Sequence, residues 1–201
     1  MLARVFLAAR YILDRLLGSR SRADEVYDVR RRLLEMNGPG MASGEEEELA
    51  RKLLLLREQL LVQLGHVEAC ARCVRPLASG FAGGHCCAGG TTRDFFGDHE
   101  LAALRLAGTT AADLRPPQGA HVGCAFRGLL GCSLAAAHRP CVCVGYACRD
   151  LWVELHRRGD GSAFARLQDE LYAAFQGFVA ARKTRMEAAW FEELRGRIFG
   201  A

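Results

Sequence analysis

Residues 43–64 read Ser-Gly-Glu-Glu-Glu-Glu-Leu-Ala-Arg-Lys-Leu-Leu-Leu-Leu-Arg-Glu-Gln-Leu-Leu-Val-Gln-Leu. Ser43 followed three residues later by Glu46 is a capping box, and Glu45 to Glu48 place negative charge at the positive end of a helix dipole. Leu49, Leu53, Leu56, Leu60 and Leu64 then fall on one stripe with alternating steps of four and three, the spacing of an amphipathic helix. About two heptads are too few for a coiled coil, so an intramolecular hairpin with the preceding helix is the expectation.

The sequence to either side is also helical in pattern. Upstream, Leu2, Val5, Phe6, Ala9, Ile12, Leu13 and Leu16 recur at helical spacing, with Arg4, Arg10, Asp14 and Arg15 between them, up to Gly18. A second helix is expected from Ser21 or Asp24, with Val26, Val29, Leu33 and Met36 on one face, ending at Asn37-Gly-Pro-Gly40. Far downstream, Ser162 is placed to cap a helix carrying Phe164, Leu167, Leu171, Phe175 and Phe178. Met186, Trp190, Leu194 and Ile198 continue its periodicity, and Gly177 is its weakest point. Strand signals are poor, the best being a brief alternation of Val142, Val144 and Tyr146.

Between these flanks lies a different composition. The 201-residue chain has nine cysteines, all between Cys70 and Cys148. They run Cys70-x2-Cys73-x12-Cys86-Cys87, then Cys124-x7-Cys132-x8-Cys141-x-Cys143-x4-Cys148. Thiols that merely filled a core would be scattered. The odd number and the absence of a signal-like start argue against a disulfide scaffold: the apolar run Val5 to Ala9 is broken by Arg10, whereas a secretory signal needs roughly 7–15 apolar residues. No stretch reaches the roughly 20 apolar residues of a membrane span. A cytoplasmic setting follows as the expectation, and there clustered cysteines favour metal ligation over disulfides. A Cys-x-x-Cys pair sets two thiolates about one turn apart, and two further soft ligands complete a tetrahedron. Glycines 80, 83, 84, 89 and 90 surround Cys86-Cys87 and would let the backbone wrap a metal and offer amides to its sulfurs.

The expected architecture is mainly α: a helical N-terminal segment (1–67), a cysteine-cluster metal-binding module (68–150) and a helical C-terminal segment (151–201). Within the module, residues 98–108 read as a short helix with Asp98 as N-cap and Gly108 as C-cap. Three histidines, His85, His121 and His138, stand close to cysteines or to Arg139-Pro140. With so many thiols present they are expected to be solvent-exposed or hydrogen-bonded, and His66 to end its helix. Arg139 is expected to pair with a helix carboxylate rather than with a thiolate-rich site. Arg30-Arg31-Arg32 is expected to be a solvated face beside Asp28 and Glu35, and Trp152 and Trp190 to belong to the core.

The order Cys70, Cys73, Cys86-Cys87, Glu100 within its helix, Cys124-Ala-Phe126, Cys132 and Arg139-Pro140-Cys141-Val142-Cys143 resembles the YkgJ-type family of zinc- or iron-chelating cysteine-cluster proteins, over about residues 68–150. The resemblance implies a metal held by Cys70, Cys73, Cys86, Cys87, Cys124, Cys132 and Cys143; with Cys148 these make eight thiolates, enough for two four-ligand sites, and Cys141 is left supernumerary because Cys143 holds the family position. The twelve residues between Cys73 and Cys86 exceed the family's usual spacing, and Cys141 and Cys148 are additional to its pattern. Zinc and an iron–sulfur cluster are equally compatible, since four-thiolate sites suit both.

Three function classes follow. The first is a metal-binding protein with a structural or electron-transfer site and no catalysis of its own, whose helical flanks offer a surface to a protein partner. The second is an enzyme like the flagellin lysine N-methylase branch of that family. Against it, the chain lacks a glycine fingerprint between strand and helix and a Cys-x3-Cys-x2-Cys run. The third is a zinc-dependent nucleic-acid-binding module. The formal charge of +4 gives it little support, because eight thiolates around two dications would add roughly −4 and bring the loaded protein near neutrality. The first class is favoured, with neither membrane nor nucleic acid as a partner.

Overall fold

A computed structural model describes residues 2–17, 20–38, 40–64, 91–118, 123–128 and 131–199. It is mainly helical. Helices α1 (Leu2–Leu17) and α2 (Arg20–Glu35) pack against each other, and α3 (Gly44–Leu64) follows. Next come the short α4 (Thr92–Phe95) and α5 (Asp98–Leu106), a two-stranded antiparallel pair of β1 (Arg127–Gly128) and β2 (Gly131–Cys132), and a 3-10 turn (Ala136–His138). The chain closes with α6 (Cys141–Gly145), α7 (Arg149–Arg158) and α8 (Gly161–Phe199). The Val142–Tyr146 alternation lies in and just after α6, not in a strand.

The capping box forms as the sequence demands: the Ser43 amide donates to Glu46 Oε2 at 2.9 Å and the Glu46 amide to Ser43 Oγ at 3.2 Å. The helix it starts does not form the expected hairpin with α2. Instead α3 lies along α8 and against α5, while α2 pairs with α1. Two apolar clusters explain the choice. Leu53, Leu56 and Leu60 of α3 pack with Phe164, Leu171 and Phe178 of α8 and with Val144 and Leu155. Val26, Val29 and Leu33 of α2 pack instead with Phe96, Leu101, Leu104 and Phe126. α5 is buried on both sides, since Ala102, Ala103 and Leu106 belong to the first cluster and Leu101 and Leu104 to the second. The three sequence ranges therefore share cores rather than folding apart.

The helix ends agree with the sequence to within a residue or two. Gly108, at φ +95°, ends α5 in a left-handed cap in which the Gly108 amide donates to the Arg105 carbonyl and the Thr109 amide to that of Leu104. Asp98 is the first residue of α5 rather than its N-cap, which is Gly97; its carboxylate accepts from Arg32 at 2.7 Å. Ser162 sits inside the first turn of α8, which starts at Gly161. Helix α8 is continuous through Gly177, where a Cβ would stand 3.7 Å from Leu49 of α3, an ordinary packing distance.

α1 turns differently from expectation. Its expected apolar face is exposed at Val5, Phe6, Ile12, Leu13 and Leu16, and the helix meets its surroundings through Leu7, Tyr11 and Asp14. The Tyr11 and Tyr27 rings lie 4.9 Å apart, Tyr11 Oη donates to Asp24 at 2.6 Å, and Arg30 donates to Asp14 at 2.5 Å. Specific polar contacts select this face over the more apolar one.

Candidate functional site

The candidate site is the cysteine-bearing stretch between α4 and α7, together with the helix faces that brace it. Its loops have little ladder bonding of their own, so their buried carbonyls need other donors. Arginines of α2 supply them. Arg22 donates to the Pro117 carbonyl at 2.7 Å and to that of Arg127 at 3.1 Å. Arg30, buried rather than on the expected solvated face, donates to the Leu114 carbonyl from Nη2 at 2.7 Å and from Nε at 3.1 Å. Only Arg31 behaves as expected, bridging Asp28 and Glu35 at the surface. Thr92 of α4 bonds Glu25 of α2 and receives the Ala125 amide at 2.7 Å.

Arg22 and Thr92 thereby brace the segments of Cys124 and Cys132, two of the five cysteines among the described residues. Cys124 is buried after Gly123, which has φ +79°, and its carbonyl receives the Arg127 amide in a tight turn. Cys132 lies half-buried on β2, in register with Arg127. Pro140 precedes α6, which buries Cys141 and exposes Cys143. Cys148 is half-buried at the start of α7, where its carbonyl receives the Trp152 amide. No two described cysteines are joined by a disulfide.

The most constrained thiol is the one the sequence sets aside. Cys141 belongs to a buried polar triad with Arg57 of α3 and Glu100 of α5. Arg57 Nη2 donates to Glu100 Oε2 at 3.4 Å and to Cys141 Sγ at 3.3 Å, while the Cys141 amide donates to Glu100 Oε1 at 2.9 Å. Burial pushes the Cys141 thiol up to about 12, with Arg57 opposing it. Burial also raises the Glu100 carboxyl, against the pull of Arg57 and the Cys141 amide. Arg57 is fully buried, and its Nε and Nη1 meet no acceptor among the described residues. The triad thus ties α3, α5 and α6 together beside Cys143. Tyr172 of α8 approaches the same place, since a Cβ on Gly145 would stand 2.9 Å from its Oη.

Of the expected ligands, Cys70, Cys73, Cys86 and Cys87 lie outside the described residues, as do His66, His85 and His121. Among the described residues no group of three or more His, Cys, Asp or Glu is arranged to hold a metal ion. His138 is hydrogen-bonded, its Nδ1 lying 3.0 Å from Thr109 Oγ1. Arg139 donates to the Leu134 carbonyl at 2.8 Å rather than to a helix carboxylate. Trp152 packs edge-on against Phe164 as a core residue, but Trp190 is 57% exposed.

Arg57 is the participant that sequence reading missed. The signal was present: it stands four residues after Leu53 and three before Leu60, a charge on the buried face of a helix. A cavity of about 410 Å³ lies between α1 and residues 112–118, lined by Phe6, Arg10, Leu13, Arg22 and Arg115, with no cysteine on its wall among the described residues. Comparison with family models, curated proteins and solved structures yields no match to this chain.

Proposed function

We propose that this is a metal-binding protein, as the YkgJ-type resemblance implies, in which Cys70, Cys73, Cys86, Cys87, Cys124, Cys132 and Cys143 of that pattern, with Cys148 beside them, hold zinc or an iron–sulfur cluster in a structural or electron-transfer role. The observation that carries the reading is the confinement of all nine cysteines to positions 70–148. The donor chemistry fits, since thiolate is the ligand type that structural zinc and iron–sulfur clusters both take. The surroundings of Cys141 support leaving it out of the set, because its sulfur already lies between Arg57 and Glu100. When bound, the group would supply a rigid cross-link or a one-electron carrier. The chain's own part is to hold the cysteine loops through Arg22, Arg30 and Thr92.

Metal and labile-sulfide analysis of protein purified without oxygen tests the reading. Stoichiometric zinc, or iron with sulfide and an absorption band in the visible, is the expected result; metal-free, folded protein refutes it. Cys73→Ser, Cys87→Ser and Cys143→Ser should each lower the metal content and Cys141→Ser should lower it less. Equal content in all four variants removes the ligand assignment.

A further inference from the structure

The outer end of α8 leaves the body of the protein. Up to Phe178 the helix buries Phe164, Leu171 and Ala174 against its neighbours, and Arg185 still reaches Glu46 of α3 at 2.5 Å. From Met186 to Phe199 every residue is exposed, a free helical arm of about 20 Å at 1.5 Å per residue. Met186, Trp190, Leu194 and Ile198 recur at steps of four on one side of this arm, with Phe191 next to Trp190, their rings 5.0 Å apart. Trp190, Phe191 and Ile198 are 57%, 61% and 62% exposed. Large apolar side chains present about 150–250 Å² each, so the arm shows on the order of 600 Å² of apolar surface. That is at the upper end of the roughly 300–600 Å² found for the largest patch on a monomer. It approaches the roughly 800 Å² that each partner contributes to a stable interface.

We propose that the arm pairs with the same arm of a second copy of this chain, antiparallel about a two-fold axis near position 192. The charge order selects this occupant. Glu187, Glu192 and Glu193 come first and Arg195 and Arg197 last. About residue 192 an antiparallel pair sets Glu187 of each arm opposite Arg197 of the other, twice by symmetry, and opposes the two helix dipoles, whereas a parallel pair stacks like on like. Glu187 has no ion-pair partner among the described residues and gains one in the pair. The apolar positions match as well: about residue 192, Met186 meets Ile198 and Trp190 meets Leu194, a self-complementary isologous contact. The near-balance of charge disfavours anionic membrane and nucleic acid, which call for a basic face.

Sedimentation velocity of the full chain across the micromolar range, at low and moderate salt, tests the proposal. The expected result is a reversible dimer that Trp190→Glu or Leu194→Glu weakens at least about tenfold, with far-UV circular dichroism and melting of the monomer unchanged. Arg197→Glu should weaken the dimer, and adding Glu187→Arg should restore it. Val5→Glu with Leu16→Glu, on the other exposed apolar face, should leave it unaltered. A monomer at all concentrations overturns the proposal. So does a dimer indifferent to Trp190→Glu, one lost instead through the α1 variants, one that the charge exchange fails to restore, or salt-dependent binding of the arm to anionic vesicles without self-association.

Discussion

At the scale of single residues, the arginines decide most. Arg22, Arg30 and Arg57 are all buried, and each stands where a helix-periodic reading expects an apolar or solvated side chain. Arg22 and Arg30 serve loop carbonyls, whereas Arg57 neutralises Glu100. Removing one member of a buried pair leaves the other charge stranded, which costs about 3–5 kcal/mol. Glu100→Gln keeps an acceptor for the Cys141 amide but abolishes the charge, so it should destabilise the protein by about that amount in urea unfolding. Arg57→Met combined with Glu100→Leu should cost less, about 1–3 kcal/mol, because only the Cys141 amide is then orphaned. A double variant no better than Glu100→Gln would show that the triad contributes more than charge compensation. None of this was visible from composition. What was visible was the position of Arg57 on the Leu53–Leu60 face, a placement whose meaning depended on Glu100 being brought to it.

At the scale of elements, α3 and α8 form the spine, and their contact is locked at one end by Glu46 and Arg185. Burial would raise the Glu46 carboxyl, but hydrogen bonds from Arg185 and Ser43 outweigh it and hold it below its ordinary value of 4.5. A carboxyl whose folded value is depressed contributes stability above its unfolded value and loses it as pH falls through the folded one. Stability should therefore decline on acidification below about 4.5. In Glu46→Gln the unfolding midpoint should be lower at neutral pH and its decline over that window shallower. Denaturant midpoints measured across that window decide the matter, and an unchanged slope in Glu46→Gln would place the acid sensitivity elsewhere. The second lock is steric. α6 approaches α8 so closely at Gly145 that a Cβ there would stand 2.9 Å from Tyr172 Oη and 3.3 Å from Leu171 Cδ2. Gly145→Ala should cost about 1–3 kcal/mol through overpacking, seen as a lower melting temperature. Tyr172→Phe in the same chain should recover part of it.

At the scale of the whole molecule, two apolar clusters share α5, and a helical arm projects beyond them. Because residues 186–199 are exposed throughout, deleting them should leave the melting temperature of dilute protein within a degree or two, as for surface changes worth about 0.5 kcal/mol. A fall of many degrees would mean that the arm supports the body. The sequence alone determined that the chain is mainly helical, where α1, α2 and α3 start and stop to within a few residues, and that every cysteine lies in one stretch. Those properties are local, since periodicity, caps and glycine stops act within a few residues of themselves. The tertiary structure alone decided that α3 lies on α8 and not α2, that α1 turns its most apolar face outward, and that Trp190 lies outside the core while Arg57 lies within it. A helical stripe records that a face is to be covered, but not which of several similar faces will cover it. That choice is made by the complementarity of shape and charge between segments distant in the chain: Gly145 against Tyr172, Glu46 against Arg185, and Arg57 against Glu100 and Cys141.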